Sequence, residues 1–106
     1  MLVSISFDIH CEKPNWAKNN SASIYLDTKY RLYVNDDLIT ERTWIWNNTT
    51  VLRENIWVES DSSQYLIKLE PIQKIPEQAL YTIKNLIVNG WPKPVNSNTE
   101  TSFTIL

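Results

Sequence analysis

Apolar and polar residues alternate one by one through most of this chain. Val3, Ile5, Phe7 and Ile9 are interleaved with Ser4, Ser6 and Asp8. Successive side chains of an extended strand point to opposite faces, so this spacing predicts a strand with one apolar and one polar side. Tyr30, Leu32 and Val34 repeat the pattern. Asn35-Asp36-Asp37 then predicts a turn, since both residue types tolerate left-handed backbone and bond their own main chain. A second strand of this hairpin is expected from Leu38 to Trp46.

Further on, Ile56 and Val58 alternate with Trp57 and Glu59, and a Ser60-Asp61-Ser62-Ser63 turn leads to a strand with Tyr65, Ile67 and Leu69 on one face. Pro71 and Pro76 are expected to bound a loop. "LYTIKNLIVNG", Leu80 to Gly90, predicts another strand whose alternation slips at Asn85, the mark of a bulge or an edge position. "TSFTIL" closes the chain as a last strand. No stretch of twelve or more residues keeps the helical i, i+3, i+4, i+7 spacing; at most "IPEQAL" forms one short turn. Seven or so short strands separated by turn chemistry predict an all-β chain, a two-sheet antiparallel β-sandwich of jelly-roll type. No internal repeat and no linker is visible.

Composition narrows the picture. A chain of 106 residues, 42% apolar and 21% charged, predicts one globular domain spanning residues 1–106. Net charge is −2 with no basic stripe, which argues against nucleic acid or an anionic membrane surface as partner. The opening "MLVSISFDI" alternates, carries Asp8 and lacks a basic leader, so it reads as a strand and not as a secretory signal. No run reaches the roughly 20 apolar residues of a spanning helix. A soluble protein made in a cytoplasm is expected. The single cysteine, Cys11, forms no intramolecular disulfide.

Candidate chemistry is sparse. The one histidine, His10, adjoins Cys11, and neighbours on a strand face opposite ways, so the two are poorly placed for a thiolate–imidazolium couple. Glu41 and Glu59 are a candidate carboxylate pair, if their strands are neighbours. Zinc needs about four nitrogen or sulfur ligands, of which the chain offers His10 and Cys11. Asn35, Asp36, Asp37 and Asp61 carry oxygens, yet turn formation accounts for them. The reading is therefore a protein that is not an enzyme and that needs no cofactor or metal. Glycosylation acceptor patterns at Asn19-Asn20-Ser21 and Asn47-Asn48-Thr49-Thr50 go with a composition rich in these residues.

Five tryptophans are the unusual feature. Trp16 and Trp91 sit beside Pro14 and Pro92 in loop-like sequence, whereas Trp44, Trp46 and Trp57 lie in predicted strands. If Ile45, Ile56 and Val58 fill the core, those three indoles emerge on one outer face. There they would anchor a protein interface or stack on a sugar ring, with Arg42, Glu59 and Asn47 as polar company. If the register runs the other way they are core, because alternation says which residues share a face and not which face is buried.

Several stretches resemble a known family. "YRLYVNDDLI" is similar to the "YVNG" or "YVDG" hairpin of small jelly-roll carbohydrate-binding modules, "SSQYLIKLEPI" to their "G-x-H-x-I-x-L" strand, and "YTIKNLIVNG" to their "F-x-I-x-N-I-x-V-N-G" strand. The calcium-dependent xylan-binding modules share this order over Tyr30 to Gly90. Where those modules hold calcium, this chain has Glu70-Pro71 and Val88-Asn89-Gly90, so the resemblance implies the fold and not the metal site. In size and in its wealth of Asn, Lys and Ile the chain also resembles small accessory structural proteins of tailed bacteriophages, those of cyanobacteria included. The resemblance implies a non-catalytic virion component (capsid decoration, tail or fibre) docking through sheet faces and exposed aromatics. The alternative it implies is a carbohydrate-binding module recognising a surface glycan.

Overall fold

The computed structural model describes residues 1–12, 29–44, 50–72 and 80–105. Among these residues eight strands form: β1 (Leu2–Glu12), β2 (Lys29–Val34), β3 (Asp37–Thr43), β4 (Val51–Glu59), β5 (Gln64–Ile72), β6 (Leu80–Val88), β7 (Trp91–Pro92) and β8 (Glu100–Thr104). They build two antiparallel sheets in the orders β4-β1-β6-β7 and β3-β2-β5-β8, packed face to face. The all-β, two-sheet antiparallel sandwich predicted from alternation is the observed architecture. Among the described residues there is no helix, and so none long and apolar enough to cross a membrane.

The alternating positions fill the space between the sheets. Val3, Ile5, Phe7, Ile9 and Cys11 from β1 and Tyr81, Ile83, Leu86 and Val88 from β6 meet Tyr30, Leu32 and Val34 from β2 and Tyr65, Ile67 and Leu69 from β5. Burial of this many large apolar side chains is the main favourable term that holds the sheets together. Tyr65 and Phe103 stack at 5.5 Å with an 8° interplanar angle.

Two hairpin turns follow one plan. Asn35 and Asp36 (φ 51° and 69°) join β2 to β3; Asn89 and Gly90 (φ 51° and 84°) join β6 to β7. Positive φ at both central residues is the two-residue turn whose twist matches that of its strands. Each asparagine also clamps the neighbouring strand. The Asn35 N–H donates to the Leu66 carbonyl at 2.9 Å while its Oδ1 accepts the Leu66 N–H at 2.8 Å. The Asn89 N–H donates to the Ser4 carbonyl at 2.8 Å while its Oδ1 accepts the Ser4 N–H at 2.9 Å. The shared stretch is only four residues, Leu32–Asn35 against Leu86–Asn89, too short to register as a repeat in the sequence.

Three strand limits differ from expectation. β3 begins at Asp37 and ends at Thr43. β7 arises from the Asn89-Gly90 turn, so Trp91 lies in a short strand and not a loop. β5 continues through Pro71 to Ile72. Proline is tolerated there because the Leu69 N–H, two residues earlier, bonds Thr99 on the β8 side, and pairing with β8 itself ends at Lys68. The Pro71 nitrogen therefore points where no ladder partner needs a donor. The expected single turn at "IPEQAL" lies, apart from Leu80, outside the described residues.

Candidate docking face

The outer face of the β4-β1-β6 sheet is assembled in rows by strand register. Leu2 lies opposite Glu59, Ser4 opposite Trp57, Ser6 opposite Asn55, Asp8 opposite Arg53 and His10 opposite Val51. Paired residues of an antiparallel ladder project to the same side. Trp57 is 67% exposed on this face, and Leu2 beside it is also exposed. Ile56 and Val58, as alternation predicted, turn the other way and pack against the core.

Asp8 organises the polar part of the face. Its Oδ1 accepts a hydrogen bond from Arg53 Nη1 at 2.8 Å and its Oδ2 one from Asn85 Nδ2 at 2.8 Å. These contacts, Asn85 foremost, hold the Asp8 carboxyl below its usual pKa against the opposing cost of burial. The slip predicted at Asn85 is a bulge. β1 pairs Ser6 with Ile87 and Asp8 with Lys84, so β6 carries one extra residue there. Asn85 takes φ 55°, which lets Leu86 turn into the core while the Asn85 amide reaches Asp8.

The structure separates Trp44 and Arg42 from Trp57. Trp44 is fully buried, edge-on to Tyr81 at 6.4 Å and 87°. It is core and not an exposed anchor, because Thr40, Arg42 and Trp44 share the side of the chain that faces the opposite sheet. Arg42 follows the same phase. Its Nε donates to Glu54 Oε1 at 2.9 Å, crossing from β3 in one sheet to β4 in the other, so it joins the sheets rather than rimming Trp57. That bond raises the Arg42 pKa despite its partial desolvation. Glu59 stays on the face of Trp57, two residues further along β4, where it lies 2.8 Å from the Met1 ammonium. Glu41 pairs with Arg31 at 2.8 Å in the other sheet, so Glu41 and Glu59 do not converge. Trp46 and Asn47 lie outside the described residues, as does Trp16. Cys11 points into the core and His10 outward, the opposite facings expected of strand neighbours.

Behind Arg42 and Glu54 the core turns polar. Tyr30 and Tyr81 meet edge-on at 5.4 Å, and burial pushes both phenol pKa values well above normal. The Arg42 guanidinium biases Tyr30, but no well-formed hydrogen bond closes on its hydroxyl. Sequence reasoning missed this inter-sheet polar cluster. Arginine and glutamate twelve residues apart on different strands leave no local signature. An open groove of about 760 Å³ at the Asn35 end of the other sheet is lined by Gln64, Leu66, Ser102 and Thr104, away from Trp57. Among the described residues no three histidine, cysteine or acidic side chains gather as a metal site. No family model matches this chain, nor does any curated protein or any solved structure.

Proposed function

We propose that this chain is a non-catalytic accessory structural protein that docks into a larger protein assembly through the outer face of the β4-β1-β6 sheet. The single observation that carries the reading is Trp57, a large aromatic left two-thirds exposed in regular strand structure. An indole there pays no folding dividend, whereas burial against a partner supplies a well-known kind of interface anchor. Asp8, Arg53 and Asn85, fixed in each other's hydrogen bonds, form a polar border beside it. Of the residues first grouped as a site, Trp57 keeps the anchor role, and Trp44 and Arg42 do not. A virion is the assembly proposed, on the resemblance in size and composition, with the protein soluble and made in the host cytoplasm. The net charge of −2 supports protein rather than nucleic acid or membrane as partner.

One observation favours a second reading. Trp57 shares its face with Asn55, Ser6 and Asp8, the combination of an apolar ring and oriented polar groups that holds a sugar. Tryptophan fluorescence of wild type and Trp57→Ala, titrated with a panel of polysaccharides, separates the two. The docking reading predicts no saturable change. A saturable response that is lost in Trp57→Ala replaces docking with glycan binding.

A further inference from the structure

The four sheet edges are not alike. β7 has two residues and contains Pro92, and beyond it the Ile83 N–H bonds the Asn98 carbonyl at 2.7 Å. β8 is five residues long. β3 carries an irregularity between Leu32 and Tyr33 in its pairing with β2. Short length, proline, bulges and charge are the usual means by which an edge avoids pairing with another chain. β4 differs. It pairs with β1 over nine consecutive residues without a shift, contains no proline, and has no second strand beside it among the described residues. Its charges are occupied: Arg53 by Asp8, Glu54 by Arg42 and Glu59 by Met1.

The direction of its backbone groups that do not pair with β1 follows from one bond. The Ser60 N–H donates to the Met1 carbonyl at 3.0 Å, so even-numbered residues turn their N–H groups toward β1. Val51, Arg53, Asn55, Trp57 and Glu59 therefore turn theirs outward, along the edge that no other described strand occupies. We propose that a second copy of this chain occupies that edge, β4 pairing antiparallel with β4 about a two-fold axis at Asn55. This goes beyond the docking reading, which concerns the side chains of the outer face and not the backbone edge of the strand.

Complementarity selects both the partner and the register. With the axis at Asn55, all five outward-bonding residues find partners. Arg53 lies opposite the partner's Trp57, a cation over an indole, with the partner's Glu59 on the diagonal. Leu52 lies opposite the partner's Val58, and no like charges face each other. Moving the axis to Glu54 sets two glutamates opposite one another; moving it to Ile56 leaves Val51 and Leu52 beyond the paired stretch. A two-fold contact of this kind closes on itself and stops at a dimer.

Sedimentation velocity across a concentration series, run on wild type, Asn55→Pro and Asn55→Cys, tests the pairing. Proline at Asn55 removes an outward N–H and no bond to β1, so the expected result is a folded monomer where wild type dimerises. Opposed Cα atoms at about 5.5 Å permit a disulfide, so Asn55→Cys should become a covalent dimer on mild oxidation, with Cys11 buried in the core. A wild type that stays monomeric, a dimer that survives Asn55→Pro, or an Asn55→Cys that never cross-links overturns the proposal; if the proline variant misfolds, the cysteine variant alone decides. The docking reading fails differently, through a saturable polysaccharide response at Trp57.

Discussion

Arg42 and Glu54 join the two sheets along one side of the sandwich, Nε to Oε1 at 2.9 Å, each reaching inward from an edge strand of the described sheets. The pair is unequal: the Glu54 side chain is 3% exposed and that of Arg42 45%. A charge left without its partner costs most where water cannot reach it. Arg42→Met, which strands Glu54, should cost about 2–3 kcal/mol, below the value for a fully buried pair because Arg42 is half in water. Glu54→Leu, which leaves an arginine able to turn outward, should cost at most about 1 kcal/mol. Urea unfolding of both variants and of the double variant checks the asymmetry; equal losses would show that Glu54 is solvated.

Trp44 and Trp57 provide a contrast between core and surface. Trp44→Ala opens a large cavity beside Tyr81 and should cost about 3–5 kcal/mol. Trp57→Ala should change stability by no more than about 0.5 kcal/mol. Thermal or chemical unfolding checks both.

Asp8 makes the face sensitive to acid. Its folded pKa lies below the ordinary 3.8, so its contribution to stability is complete above that value and is lost as pH falls below it, through the folded value. Asp8→Asn should flatten the stability profile in that window and leave the profile near neutrality parallel to wild type. Unfolding midpoints measured from pH 6 downward report the difference.

The two clamping asparagines should respond alike. Alanine at Asn35 or Asn89 forces a left-handed backbone, about 1–2 kcal/mol, and removes a side-chain acceptor as well. Glycine relieves the backbone and loses only the bond, about 1 kcal/mol. Stability should fall in the order Asn, Gly, Ala at both turns, as read by denaturant midpoints.

What could be read from the sequence was local. Val3 to Ile9, Tyr30 to Val34 and Tyr65 to Leu69 announced their buried faces because a strand's period of two is written in neighbouring residues. Asn85 announced its bulge because the alternation breaks there. The side on which Trp44 falls depends on how β3 sits over the other sheet, which no neighbouring residue records. The Arg42–Glu54 contact depends on the same packing. The Asn89-Gly90 turn is legible too: an Asn-Gly pair after Leu86 and Val88 is a strong hairpin signal, and it accounts for Trp91 lying in a strand although Pro92 makes its surroundings loop-like.

Amide hydrogen exchange along β4, followed by NMR as protein concentration rises, tests the open edge most directly. In dilute solution Leu52, Glu54, Ile56 and Val58, bonded to β1, should exchange slowly, while Arg53, Asn55 and Trp57 exchange fast. At high concentration these last three should become protected as well. Uniform protection of β4 in dilute solution, or fast exchange at Arg53, Asn55 and Trp57 at every concentration, would contradict the account.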